Sequence, residues 1–262
     1  MYKNILTEIN GRIAVITINR PEFANAINGD TVMEITDAVN TFGKDASVGS
    51  VVITGAGKHF SAGGDINRFK MLIETEQFLQ TENIANADRM ASAIRNCSKP
   101  VIAMINGVAT GAGLSLALAC DFRIVSPSSK MSMGFVNMGL PGDTGSIYFL
   151  VRLLGVSAAE HMMMLGEMYR GEDLLKMGLA TMMTEEGKLS EETMAFAAKL
   201  AEKSASAIAA QKRMVNKYFF GNELEAFYLD EQAEMTAASR LPDFKEATYA
   251  FLEKRKPKFQ DR

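Results

Sequence analysis

Tryptophan is missing from this sequence, and histidine and cysteine occur only twice each. Two cysteines, Cys97 and Cys120, are too few for a disulfide framework and point to a reducing compartment. His59 and His161 fall on different expected elements with no cysteine cluster beside them, so no metal site is expected. A Ser-His-Asp triad would have to use one of those two histidines, and no serine sits in a nucleophile-elbow context. No stretch approaches the length of a membrane span, and the opening MYKNILTEING lacks the apolar run of a signal peptide. A cytoplasmic protein with no membrane partner is therefore expected. Positive charge is not in excess either: the net charge is −3, and without a basic stripe nucleic acid is not an expected partner.

What is present suits a soluble globular protein. Of 262 residues, 47% are hydrophobic and 23% charged, enough for one large α/β domain with a helical appendage. Two alternating runs, Tyr2–Ile9 and Arg12–Asn19, flank Asn10-Gly11, which predicts a β-hairpin. A helix is expected near Asp30–Phe42, with Val32, Ile35 and Val39 on one face, then a short buried strand at Ser50–Ile53. The pattern recurs as a polar helix through Asn86–Cys97, a strand at Pro100–Ile105, an Ala/Leu-rich helix at Leu114–Cys120 and a strand at Asp121–Val125. Strand–turn–helix units repeated in this way predict an α/β architecture. Beyond about residue 190 the strand signal ends, and three or four amphipathic helices lead to the charged tail EKRKPKFQDR. The division expected is a core over 1–195 and a helical region over 196–262.

Two glycine-rich stretches invite a nucleotide reading and fail it. Gly55-Ala56-Gly57-Lys58 lacks the glycine spacing of a P-loop, and His59 stands where Ser or Thr is needed. Gly111-Ala112-Gly113 would need a third glycine at Leu116 to match a dinucleotide fingerprint. Both stretches nevertheless follow buried strands: His59-Phe60-Ser61-Ala62-Gly63-Gly64-Asp65-Ile66, and Asn106-Gly107-Val108-Ala109-Thr110-Gly111-Ala112-Gly113 leading into a helix. They are either simply tight turns, or two backbone N–H donors aimed at one oxygen, as stabilisation of an enolate requires.

These same residues resemble the signatures of the crotonase (enoyl-CoA hydratase/isomerase) superfamily. VITGAGKHFSAGGDI is similar to its first motif and KPVIAMINGVATGAGLSLALACDF to its second, with further similarity from RPEFANAIN to the FLEKRKPKF tail. The resemblance implies a spiral of ββα units with a C-terminal helical trimerisation region, and a homotrimer or a dimer of trimers. It implies an acyl-CoA thioester substrate, a place in fatty acid metabolism, and no cofactor beyond the CoA moiety. It also implies an oxyanion hole formed by the amides of Gly64 and Ala112. Phe23, Ala24, Ala62, Asp65, Ile66 and Lys254 would lie along the substrate, Lys254 at a CoA phosphate, with Asp65 holding its turn rather than reacting.

The acid/base residues distinguish chemistries within the superfamily. Hydratases use two glutamates; by alignment their positions hold Ser115 and Phe135, neither able to transfer a proton from a carboxyl group. Asp143, in Pro141-Gly142-Asp143-Thr144-Gly145-Ser146, instead matches the aspartate of the isomerases and of the aryl-CoA dehalogenases. The dehalogenases support their aspartate with a tryptophan and a histidine near the ring; this chain has no Trp, and Phe135 takes the matching aromatic position. The bland alternative for Asp143 is a helix N-cap. The expected reaction is double-bond migration in an enoyl-CoA with Asp143 as base. A hydratase or lyase drawing on Glu74, Glu76 or Glu82, or a weakly catalytic acyl-CoA- or RNA-binding protein, is the rival reading. Most of the 18 methionines read as core, with some available to line an acyl pocket.

Overall fold

The computed structural model describes residues 2–260. The predicted hairpin is there: β1 (Ile5–Asn10) and β2 (Ile13–Ile18) pair antiparallel, with Asn10 opposite Ile13. The connecting pair is Gly11-Arg12, one residue later than expected, and Gly11 takes the left-handed conformation (φ +62°) that the turn needs. From β2 onward the sheet is parallel, through β3 (Ser50–Gly55), β4 (Val101–Ile105), β6 (Phe122–Val125) and β9 (Met182–Met183). Every residue of β3 is buried, as a parallel strand covered on both faces must be.

The alternation along these strands divides the core. Ala14, Ile16, Ile18, Val51, Ile53, Val101, Ala103 and Ile105 face a large core built with α1 (Gly29–Lys44), α3 (Thr81–Asn96) and α4 (Ala112–Ala119). Ile13, Val15, Val52, Ile102 and Ile124 face the other way, onto Met194, Phe196 and Ala197 of α8 (Leu189–Ala201). Phe122 meets Phe196 edge-on, with ring centroids 5.1 Å apart. Residue 195 thus falls inside α8, a continuous helix that covers the sheet.

A second, small sheet of β5 (Val108–Thr110), β7 (Lys130–Ser132) and β8 (Tyr169–Arg170) sits at the second glycine-rich stretch. After α8 come α9 (Ala205–Val215), a π-helical segment (Asn216–Phe220), α10 (Gly221–Ala238) and α11 (Pro242–Leu252). Both α10 and α11 fold back on the core: Leu224, Tyr228, Met235 and Phe244 are buried in it. The remaining helices are α2 (Ile66–Glu74), α5 (Ser146–Leu154), α6 (Val156–Leu165) and α7 (Gly171–Lys176). The architecture is the α/β one expected, with a helical C-terminal region. Cys97 and Cys120 are both free and buried. No helix among the described residues is long and apolar enough to cross a membrane.

Candidate active site

The two glycine-rich turns are packed against each other by their lack of side chains. Ser61 bridges to Ala109, with its amide on the Val108 carbonyl (3.0 Å) and the Thr110 amide on its own carbonyl (3.1 Å). Gly63 has φ +92°, and a Cβ there would come 2.7 Å from the Thr110 carbonyl and 3.5 Å from the Ala112 amide nitrogen. A side chain at this position would therefore push the turns apart. On the other strand, the Gly111 amide is spent on the Ser132 carbonyl (3.2 Å), while Ala112 opens α4, where an amide has no carbonyl four residues back.

Gly63, Gly64, Gly111 and Ala112 all line one cavity of about 400 Å³, within the usual range for a small-molecule site. Ala62, Asp65, Ile66, Phe135 and Asp143 line it too, so seven of the expected site residues meet at one place: Gly64, Ala112, Asp143, Ala62, Asp65, Ile66 and Phe135. The remaining wall is largely apolar, with Val32, Phe69, Leu79, Ile84, Met138, Leu140, Met235 and Phe251 among its members. Arg68 is a polar exception: its guanidinium donates to Asn83 Oδ1 at 2.6 Å, and burial pulls its proton affinity down.

Three expected residues lie outside that cavity. Ala24 sits beside it, accepting a hydrogen bond from the Ala62 amide at 3.0 Å. Phe23 is exposed under the Arg20 guanidinium, 4.7 Å from its ring centroid. Lys254 is exposed just past α11, three residues from Phe251 at the cavity wall.

Two carboxylates line the cavity, and their environments differ. Asp65 is tied down: Oδ2 pairs with Arg20 at 2.8 Å and Oδ1 accepts from the Asn67 amide at 3.1 Å, capping α2. Among the described residues Asp143 pairs with no cation, and the one group that hydrogen-bonds its carboxyl is the Thr144 hydroxyl, at 2.9 Å to Oδ1. Asp143 is partly buried at the cavity wall, and this desolvation pushes its carboxyl up to about 6, against the smaller opposing pull of that hydroxyl. A carboxylate poised near neutral pH and open to a pocket suits proton transfer. The capping alternative has no geometric support: the cap position of α5 is Gly145, with no side-chain cap bond.

The acids named for a rival chemistry do not join the cavity wall. Glu74 pairs with Lys70 at 3.6 Å, Glu82 with Arg89 at 2.8 Å, and Glu76 is exposed. Ser115 is buried within α4 and donates to the Gly111 carbonyl at 3.2 Å; Phe135 supplies only a ring.

Comparisons with known proteins give the family. The profile of the enoyl-CoA hydratase/isomerase family matches residues 8–262. The chain belongs to that family. It is 32% identical over 261 residues to a trans-2-decenoyl-[acyl-carrier-protein] isomerase of Streptococcus mutans, with 98% of each chain covered. It is 33% identical over 259 residues to a crotonyl-CoA hydratase of Syntrophomonas wolfei, again over 98% of each. Among solved structures, an enoyl-CoA hydratase from Mycobacterium avium subsp. paratuberculosis superposes over 100% of both chains with a TM-score of 0.90 at 28% identity. Membership of the crotonase superfamily, and with it the fold, is thereby shown.

Sequence reasoning missed two acids beside the site. Glu231 of α10 and Asp88 of α3 are both buried behind the Asp143 turn. Burial pushes Glu231 up to about 8 and Asp88 up to about 7, and the charge of Asp143 adds to both shifts. The signal was present: Glu231 interrupts the buried stripe Leu224, Tyr228, Met235, and Asp88 the stripe Ile84, Ala91, Ile94.

These acids set an expected pH dependence of stability. Asp88, Glu231 and Asp143 hold protons more tightly folded than at their ordinary values of 3.8, 4.5 and 3.8. A raised folded-state pKa gives stability that is complete below the unfolded value and is lost as pH climbs through the folded one. The thermal midpoint should therefore fall between pH 5 and pH 9, by roughly 3–10 °C for a chain of this size. A midpoint that rises over that window would contradict the burial of these groups.

Proposed function

We propose that this member of the family is an enoyl-CoA isomerase that moves a double bond through a thioester enolate. The observation that carries the reading is that Asp143 is the one cavity carboxylate not held by a cation, while the two hydratase glutamate positions are Ser115 and Phe135. With a 3-enoyl thioester, Asp143 takes a proton from C2. The electron pair delocalises onto the thioester oxygen and C4, and the same carboxyl returns the proton to C4 to give the 2-enoyl product. The step balances internally, so it calls for no cofactor beyond the CoA of the substrate. The amides of Gly64 and Ala112 hold the oxygen as it gains charge.

The apolar wall of Phe69, Leu79, Ile84 and Met235 supports an aliphatic acyl chain in the cavity. The CoA moiety would leave past Phe23, Ala24 and Phe251, with Lys254 at a phosphate. An assembly of identical subunits, a trimer or a dimer of trimers, is part of the same reading. It is supported by the apolar residues Met214, Val215, Tyr218 and Phe219 left exposed at and before the π-helical segment. The deciding assay supplies 3-enoyl-CoA and 2-enoyl-CoA of one chain length in parallel. Migration of the double bond without accumulation of a 3-hydroxyacyl product is expected. Water addition outpacing migration would overturn the isomerase reading and leave a hydratase.

A further inference from the structure

The turn that presents Asp143 is an unfavourable one. Thr144 has φ +62° and Gly145 φ +71°, so two successive residues are left-handed, and the first is β-branched. Gly145 admits no side chain, because a Cβ would come 2.8 Å from Phe149 and 3.0 Å from Tyr228. Such a turn persists only if its surroundings hold it. The hold comes from the helical C-terminal region: Glu231 Oε2 accepts the Gly145 amide at 2.7 Å, across 86 residues of sequence.

Glu231 is 4% exposed, and Oε1 has no hydrogen-bond partner of its own. Among the described residues no cation offsets it. The charges that bear on it are Asp143, in the turn, and Asp88, on α3, both of like sign. Asp88 in turn accepts from Gln232 Nε2 at 2.8 Å, with Arg89 the cation that bears on it, itself paired to Glu82. Tyr228, one turn earlier on α10, completes the surroundings; Arg95 bears on it more weakly than burial does. An anion at Glu231 would have the Gly145 amide and, more weakly, the Ile147 amide in its favour, against burial and two like charges, with Oε1 short of a hydrogen bond. A protonated Glu231 has a carbonyl for the Gly145 amide and no charge to bury.

We propose that Glu231 is a positioning residue for Asp143: held as a neutral acid, it clamps the Gly145 amide, fixes the left-handed turn, and leaves Asp143 as the cavity carboxylate without a cation partner. This rests on Asp143 being the base. Above the pH at which Glu231 ionises, a second negative charge appears behind the turn, and the clamp competes with repulsion from Asp143.

The test is the pH profile of kcat/KM for double-bond migration in the full-length wild type, Glu231→Gln, Glu231→Leu and Asp143→Asn. For the wild type, an acid limb near pH 6 and an alkaline fall near pH 8 are expected, set by Asp143 and Glu231. Glu231→Gln keeps an oxygen for the Gly145 amide but cannot ionise, so the alkaline limb should move up by about one pH unit or more. Glu231→Leu removes the acceptor and should lower kcat by about ten- to a hundredfold, with KM within about twofold. A Glu231→Gln profile that superimposes on the wild type would overturn the proposal, as would a Glu231→Leu loss carried by KM alone. If the leucine variant does not fold, the glutamine profile decides. Should Asp143→Asn migrate double bonds at the wild-type rate, the base assignment fails and the positioning role falls with it. Should Asp143→Asn be inactive while both Glu231 variants match the wild type, only the positioning role fails.

Discussion

Asp143→Asn should abolish most double-bond migration, by about 10²-fold or more, while acyl-CoA binding and folding survive. Asparagine keeps the size of the side chain and an oxygen for the Thr144 hydroxyl, which donates at 2.9 Å. What it removes is the ability to take a proton from C2 and return it to C4. The folded-state carboxyl sits at about 6 rather than 3.8, so near pH 7 its ionised form is held at a cost that the amide avoids. The variant should therefore melt at the same temperature as the wild type or above it at pH 7. Lost turnover with undiminished stability separates a catalytic carboxylate from a structural one. Turnover retained in Asp143→Asn, or a fall in Tm of several degrees, would contradict this role.

Much of the frame was legible because its signals are local. The Asn10-Gly11 hairpin, the Val32/Ile35/Val39 face of α1 and the buried run of β3 each follow from periodicity within one element. The helix at Asn86–Cys97 was placed five residues short: its first turns, from Thr81, carry Glu82, Asn83 and Asn86, so polarity masked the period there. The strands of the small sheet span only two or three residues, too few for any alternation to show.

The site was legible in part for a different reason. Two small-residue turns leave a trace in sequence because a Cβ at a position such as Gly63 would strike the facing backbone. The assignment of Gly64 and Ala112 in particular comes from the resemblance of those turns to the family's two motifs. Glu231 shows locally only as a break in the buried stripe of α10; the amide it accepts from, 86 residues away, is not written there. Lys254 and Phe23 are exposed and outside the cavity, so a part for them in substrate binding would need a ligand that extends past Phe251 and Ala24.

Ala112→Pro should lower turnover by about 10²–10³-fold, the usual effect of deleting one donor from an oxyanion hole. Ala112 is the first residue of α4, a position where proline's fixed φ is tolerated and where the missing N–H costs the helix no hydrogen bond. The substitution is thus aimed at the donor more than at the helix. Its main hazard lies one residue earlier, because Gly111 must keep its unusual conformation (φ +51°, ψ −126°) and its amide bond to Ser132. Circular dichroism and Tm should show that the variant is folded. In a folded variant the loss should appear in kcat far more than in KM, since the enolate oxygen gains its charge on the way to the transition state. Adding Asp143→Asn to Ala112→Pro should cost much less than the product of the two single losses, because without a base little enolate forms for the amide to stabilise. A folded Ala112→Pro enzyme with near-normal turnover would remove that amide from the mechanism and leave Gly64 to act with a different donor.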